Sequence, residues 1–354
     1  MTQNNTADSN NNAMMDTSIR NKKTKSGERC ESGNRLLTVK DLTVCFSIDE
    51  GTFVAADRIS FYVEKGENVG LVGESGCGKS VTALSIPRLI PSPPGTIESG
   101  EIWFDGRDIM SMTSEELRDI RGRAISMIFQ EPLSALSPLH RIGRQMTETL
   151  LLHRDMSQKE AWQFAEQWLG KVGIPDAADR MFAYPFQLSG GMQQRIMIAM
   201  ALMLAPNLII ADEPTTALDV TTQAQVFELI KAMKKKHTSM LLITHDMGVV
   251  WEMCERILVM YASRIVESGS REDIFSNPKH PYTIGLLNAI PKLTGARRQL
   301  KDIPGQVPSP FDYPKGCHFE KRCAFSMERC ITEKPPFYDC GNGHRAACFL
   351  LAGK

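Results

Sequence analysis

The chain has 354 residues, 42% of them apolar, enough for one large or two modest domains with buried cores. Lys plus Arg and Asp plus Glu stand at 41 each, so no net basic field draws nucleic acid or an anionic membrane surface. The longest apolar runs, at 208–211 and 240–244, are far short of the roughly 18 residues a spanning helix needs, so membrane association has to come from a partner.

Residues 1–33 are rich in Asn, Ser, Thr and Lys without an apolar centre, which predicts a solvated, disordered tail rather than an export signal and a chain that stays in the cytoplasm. From 36 to 46 the pattern alternates as a half-buried strand does, and 59–63 repeats it after a polar turn. Phe46 at the end of the first strand suits either stacking on a nucleotide base or plain core packing. An apolar run at 69–72 then leads into Gly73, Glu74, Ser75, Gly76, Cys77, Gly78, Lys79 and Ser80, followed by a helical stretch. Strand, glycine-rich turn and helix are the setting of a phosphate-binding P-loop. Its backbone N–H groups point inward and the helix N-terminus adds its dipole, so a polyphosphate cradle exists before any side chain acts. Lys79 is then placed for the β- and γ-phosphates and Ser80 for Mg²⁺. A chance match of the four fixed positions occurs in about one chain in a hundred of this length. Pro87 predicts an early end to the helix, and Pro91, Pro93, Pro94 and Gly95 a loop before a strand and turn at 100–108.

A further apolar strand at 124–129 ends on Gln130, and Glu131-Pro132 stops it. Between 132 and 188 the apolar spacing is helical, which predicts a helical insertion in an α/β domain with Trp162, Phe164 and Trp168 as its core rather than a ligand box. Leu188, Ser189, Gly190, Gly191, Met192 and Gln193 open another helix, closed by Pro206, and again describe an anion site. Since the P-loop has its own helix, a second such terminus implies two nucleotides, or one shared between two chains. The strand at 208–211 ends in Asp212 and Glu213. Neighbouring strand residues point to opposite faces, so both serve one site only if Glu213 belongs to the exit loop, as Pro214 suggests. Asp219 lies in that loop, 222–236 reads as a helix, and the buried strand 240–244 ends on His245. Carboxyl ends of strands are where α/β sheets bind ligands.

Taken together and in this order, these residues resemble the ATP-binding cassette family over 36–269. The resemblance implies an α/β P-loop NTPase core with an antiparallel β subdomain at 36–270, carrying a helical subdomain at about 131–200. It implies Phe46 as the adenine-stacking residue, the Walker A loop at 73–80, Gln130 as the Q-loop glutamine and the signature at 188–193. It further implies Asp212 and Glu213 as the Walker B pair, Asp219 as the D-loop aspartate and His245 as the switch histidine. Hydrolysis of ATP with Mg²⁺ follows, with Ser80, Gln130 and Asp212 at the metal, Glu213 as general base and His245 at the γ-phosphate. Ser189 and Gly191 would serve the ATP of a second, head-to-tail cassette, and ATP binding and hydrolysis would close and open that dimer.

His280-Pro281-Tyr282-Thr283 and Ile303-Pro304-Gly305-Gln306-Val307-Pro308 resemble the C-terminal extension of ATPase subunits of bacterial dipeptide, oligopeptide and nickel importers. Glu131-Pro132 and 136–143 fit that branch, with Ser137 where it carries asparagine; Pro87 is a second departure and bears only on helix length. The resemblance implies docking on two transmembrane permease subunits at the cytoplasmic face of the inner membrane, substrate delivery by an extracytoplasmic solute-binding protein, and no nucleic acid. A soluble cassette acting on ribosomes or DNA would carry a second cassette, a coiled coil or a basic segment.

The chain has nine cysteines, five of them between 317 and 348 in the loop-rich segment 271–354. Cys317, Cys323, Cys330 and Cys348 are separated by five, six and seventeen residues, without the Cys-x-x-Cys knuckle of a zinc ribbon. Thiolates so disposed suit a 4Fe-4S cluster, which the importer branch carries at similar spacing, with zinc and unligated thiols as the other readings. That pattern leaves out Cys340, and His318 and His344 read as loop residues rather than ligands.

Overall fold

The computed structural model describes residues 34–215, 220–290 and 303–353. The expected tail and Asp219 lie outside the described residues. Strands β1 (Arg35–Ile48) and β2 (Gly51–Glu64) form a long antiparallel hairpin that sets Phe46 opposite Phe53. Leu37, Val39, Leu42 and Val44 of β1 are all buried although the first pair is odd-numbered and the second even. The register shift between Val39 and Leu42 inserts the extra residue that returns Leu42 to the buried face.

Next in sequence, β3 (Asn68–Val72) passes through the glycine-rich loop into α1 (Lys79–Ser85), a helix as short as Pro87 demands. The chain then returns to the first layer as β4 (Gly95–Phe104) and β5 (Arg107–Asp108), giving a four-stranded sheet in the order β2-β1-β4-β5. Helix α2 (Ser114–Ile120) starts at a reciprocal cap, Thr113 with Glu116, and β6 (Ile125–Ile128) follows.

The insertion consists of α3 (Pro132–Ala135), α4 (Ile142–His153), α5 (Gln158–Lys171) and α6 (Ala177–Arg180), leading to α7 (Gly190–Leu202). Met146, Leu150, Ala161, Ala165, Trp168 and Leu169 meet at its centre. Trp162 packs on Phe182 with ring centroids 5.1 Å apart, above Gly143, where a β-carbon would approach the indole to 2.6 Å. The three aromatics are thus packing residues, as their spacing predicts.

From α7 the chain builds β7 (Leu208–Asp212), α8 (Val220–Met233), β8 (Ser239–Thr244), α9 (Met247–Met253), β9 (Arg256–Tyr261) and β10 (Arg264–Ser270). Strands β7 and β8 are buried at every position, which explains their unbroken apolar sequence: a parallel strand covered on both faces has no polar side. The remaining elements are α10 (Arg271–Ser276), α11 (Pro281–Asn288), α12 (Glu328–Thr332), β11 (Tyr338–Asp339) and β12 (Arg345–Ala346).

The second sheet has eight strands in the order β11-β12-β10-β9-β3-β8-β7-β6, parallel from β9 to β6. Two findings go beyond the sequence reading. The pair β9 and β10 had no counterpart in it. The C-terminal extension, expected as a loop-rich appendage, instead prolongs the main sheet through β12 on β10.

Candidate active site

Strands β3, β6, β7 and β8 run side by side in the same direction, so the residues leaving their carboxyl ends converge: the P-loop, Gln130, Asp212 with Glu213, and His245. The P-loop is pressed between neighbouring strands. A β-carbon at Gly73 would come within 2.1 Å of the Met260 carbonyl, and one at Gly78 within 2.1 Å of the Ala55 carbonyl. Gly78 also takes φ +102° as the cap of α1, so a side chain there is excluded twice over. Cys77 is fully buried and burial pushes its thiol up, so it belongs to the core and lends only its backbone to the loop.

Lys79 Nζ donates to the carbonyls of Gly73 and Glu74, at 2.8 and 3.0 Å, and lies 3.9 Å from Glu213 Oε1. Ser80 Oγ donates to Asp212 Oδ1 at 3.0 Å. Burial pushes the Asp212 carboxyl up, and the adjacent Glu213 adds to this, while the Ser80 hydrogen bond and Lys79 pull the other way. Glu213 leaves β7 with φ +44° and donates its N–H to the Ile243 carbonyl at 2.9 Å. That twist resolves the two-face problem: Asp212 reaches Ser80 while the neighbouring Glu213 reaches Lys79 and, at 3.5 Å from Oε2, His245 Nδ1. His245 is exposed.

A cavity of about 380 Å³ is lined by Phe46, Ser75, Gly76, Gly78, Lys79, Ser80, Gln130 and Glu213. Phe53, Pro310 and Tyr313 complete its far side, and the sequence reading had picked out none of the three. Phe53 was legible in principle as the hairpin partner of Phe46; nothing local marks the other two. The P-loop's Glu74 points elsewhere, accepting from Arg322 Nη1 at 3.0 and 3.1 Å, while its N–H donates to the Tyr282 hydroxyl at 3.0 Å.

Ser189, Gly190 and Gly191 are not part of this cavity; Ser189 caps α7, with its hydroxyl 3.4 Å from Met192 N, and Ser189 and Gly190 are exposed. Gln193 is buried, its amide donating to the Pro185 and Leu188 carbonyls at 2.8 and 3.1 Å. It braces the signature turn from beneath instead of facing a ligand.

In the extension, Cys317, Cys323, Cys330 and Cys348 line one small cavity with Phe319, Phe325 and Phe349. Burial pushes the Cys317 thiol up to about 12, and those of Cys323 and Cys348 upward, the neighbouring cysteines adding to each. Among the described residues no group of three or more His, Cys, Asp or Glu is arranged to hold a metal ion. Cys340 is not among the residues lining that cavity. His318 and His344 lie in loops, as expected, but are buried: His318 Nδ1 is 2.7 Å from the Ala262 carbonyl, and His344 Nε2 2.7 Å from Glu267 Oε1.

A glycine-rich loop between strand and helix, with a serine hydroxyl on a strand-end aspartate, defines a P-loop nucleotide-binding domain. Comparison with known proteins narrows the class. Residues 56–216 match the family described as ABC transporter, and residues 266–330 the oligopeptide/dipeptide transporter C-terminal region. The oligopeptide transport ATP-binding protein AppD of Bacillus subtilis is 48% identical over 316 residues, 89% of this chain and 96% of its own. The oligopeptide transport ATP-binding protein OppD of Escherichia coli is 45% identical over 320 residues, 90% of this chain and 94% of its own. A solved dimer of the ATP-binding cassette MJ0796, bound to ADP and Pi, is 28% identical with a TM-score of 0.59, covering 67% of this chain and 99% of that one. The chain belongs to the ATP-binding cassette family, in the branch of oligopeptide and dipeptide transporter ATP-binding proteins, and is an ATPase. No helix among the described residues is long and apolar enough to cross a membrane.

Proposed function

We propose that the chain is the energy-coupling ATPase of a dipeptide or oligopeptide importer, peripheral on the cytoplasmic face of the inner membrane. It would act with a second cassette ATPase, two permease subunits and an extracytoplasmic solute-binding protein. Carrying this reading is one observation: a complete hydrolytic set on four adjacent strand ends, in a chain whose importer-type extension continues the same sheet. In this reading Lys79 and the P-loop amides balance charge on the β- and γ-phosphates, and Glu213 takes a proton from the attacking water. His245 and Gln130 orient that water and the γ-phosphate. Ser80, Asp212 and Gln130 supply hard oxygen donors for Mg²⁺, which when bound adds positive charge at the phosphate oxygens. Asp212, disfavoured as an anion by burial, gains from a cation there. Ser189, Gly190, Gly191 and Asp219 serve the partner cassette's ATP, Gln193 bracing the turn. Leu133 in α3 and Leu139 beyond it, 56% and 81% exposed, supply apolar surface for a permease helix.

Glu213→Gln, purified from native membranes in mild detergent with ATP, tests this. Retained ATP, no turnover, and co-purifying multispanning subunits support it; unchanged hydrolysis, or ribosomal or DNA-bound partners, would sink it.

For the cysteine cavity, we propose a 4Fe-4S cluster on Cys317, Cys323, Cys330 and Cys348. Four thiols on one cavity form a soft donor set. A single zinc needs its sulfurs to converge at about 2.3 Å from one point, whereas a cluster needs them spread around a volume. Anaerobic purification should give iron and sulfide in equal amounts; zinc in their place would decide for the other metal.

A further inference from the structure

The nucleotide cavity has two ends of different chemistry. At one, Lys79, Ser80, Gln130 and Glu213 are polar; at the other, Phe46 and Phe53 stack with centroids 5.7 Å apart and planes at 14°. The C-terminal extension also lines the cavity, through Pro310 and Tyr313.

This segment is seated, not merely nearby. Residues Pro310–Asp312 form a 3-10 turn, capped by Ser309, with Asp312 N donating to the Ser309 carbonyl at 2.8 Å. Phe311 sets its ring edge-on to Phe53, at 5.2 Å and 66°, which ties the turn to β2. Tyr313 stacks on His318 at 4.8 Å and 24°, and His318 is itself anchored on the Ala262 carbonyl between β9 and β10. Burial pushes the Tyr313 hydroxyl up to about 12, so the ring is neutral under working conditions. A half-buried aromatic and a proline, held on both flanks and lining the same cavity as an aromatic pair, suit a flat heteroaromatic ring.

We propose that Pro310 and Tyr313 form the second wall of the nucleobase site, so that the C-terminal extension is a component of the ATP-binding site. The proposal rests on the reading of this cavity as the ATP site. Stacking against one such residue corresponds to about tenfold in affinity at a partly exposed position.

The experiment compares Mg-ATP with Mg-tripolyphosphate, which has the phosphates but no base, on the full chain by calorimetry. Tyr313→Ala should weaken ATP about tenfold and leave tripolyphosphate within about twofold, with Tyr313→Phe close to the parent. Pro310→Ala, which does not disturb the His318 stack, should weaken ATP in the same selective way and serves if Tyr313→Ala is poorly folded. Unchanged ATP affinity in both alanine variants overturns the proposal. So do equal losses of the two ligands, which would mean the segment acts only by supporting the fold. Lys79→Ala separates the premise: it should weaken both ligands, and if it weakens neither, the phosphate-site reading fails and the proposal with it.

Discussion

Glu267 is 0% exposed on β10 and His344, 2% exposed, approaches it from the turn before β12, so removing the imidazole is a sharp test of how the extension is fastened. The carboxylate accepts from three donors: Lys279 N at 2.7 Å, His280 N at 2.9 Å and His344 Nε2 at 2.7 Å. A hydrogen bond to a charged group contributes about 1.5–3 kcal/mol, and a buried carboxylate left without any donor costs more. Here two backbone donors stay in place after His344→Ala, which lowers the expectation to about 2–3 kcal/mol, with a cavity adding to it. For a chain of this size that is a drop of about 3–4 °C in thermal midpoint. Glu267→Gln should cost a similar amount for another reason: an amide offers one acceptor oxygen and turns an N–H₂ group toward donors. The assay is thermal unfolding of both single variants and the double variant. A loss under about 1 °C in His344→Ala would refute the buried-latch account.

Arg322, whose side chain is 6% exposed, donates to Glu74 of the P-loop and to the Pro304 carbonyl at 2.9 Å. Because Glu74 is 30% exposed, water takes over part of its solvation in Arg322→Met, and the loss should be about 1–3 kcal/mol by unfolding, with weaker ATP binding on titration. Burial lowers His280 to about 3 and His318 to about 4, from 6.5. The unfolded chain then binds more protons than the native one below 6.5, so stability is full above that pH and falls as the pH drops toward 4. Unfolding midpoints between pH 7 and 4.5 should show this slope, and His318→Gln should reduce it. Ser189→Phe should spare ATP binding at the chain's own P-loop and abolish turnover in the assembled dimer; loss of binding in the isolated chain would contradict a shared site.

The P-loop, Gln130, Asp212, Glu213 and His245 were legible because each stands at a strand end, and strand ends are marked locally by an apolar run that stops. Their mutual geometry follows from the parallel order of β3, β8, β7 and β6, so naming the motifs nearly amounts to naming the site. The strands β9 and β10 were harder, since the turn between them is built on Ala262 and Ser263 with positive φ, where a glycine or asparagine would have signalled it. Pro310 and Tyr313 were invisible for a stronger reason: they reach the cavity from more than two hundred residues away, and no periodicity encodes such a contact. The burial of His318 and His344 was not legible either, because their partners, the Ala262 carbonyl and Glu267, lie 56 and 77 residues away in sequence.

The extension's fastenings are spread over the functional parts of the cassette. Arg322 holds Glu74 in the P-loop, Lys334 Nζ lies 2.9 Å from Asp57 on β2, and His344 grips Glu267 on β10. Asp57 also accepts from Arg264; burial disfavours its charged form, yet the two cations outweigh it and bring the carboxyl down to about 2. The cysteines alternate with these points in sequence: Cys323 directly follows Arg322, Cys330 lies four residues before Lys334 and Cys348 four residues after His344. A segment with few regular elements needs more than a few such tethers, because each residue ordered between them costs conformational entropy. Gathering four thiols around one cavity shortens the free loops between the tethers, and shorter loops lose less entropy when each tether closes. The cysteine cavity therefore bears on the nucleotide site, since the first tether beside it is the arginine on the P-loop.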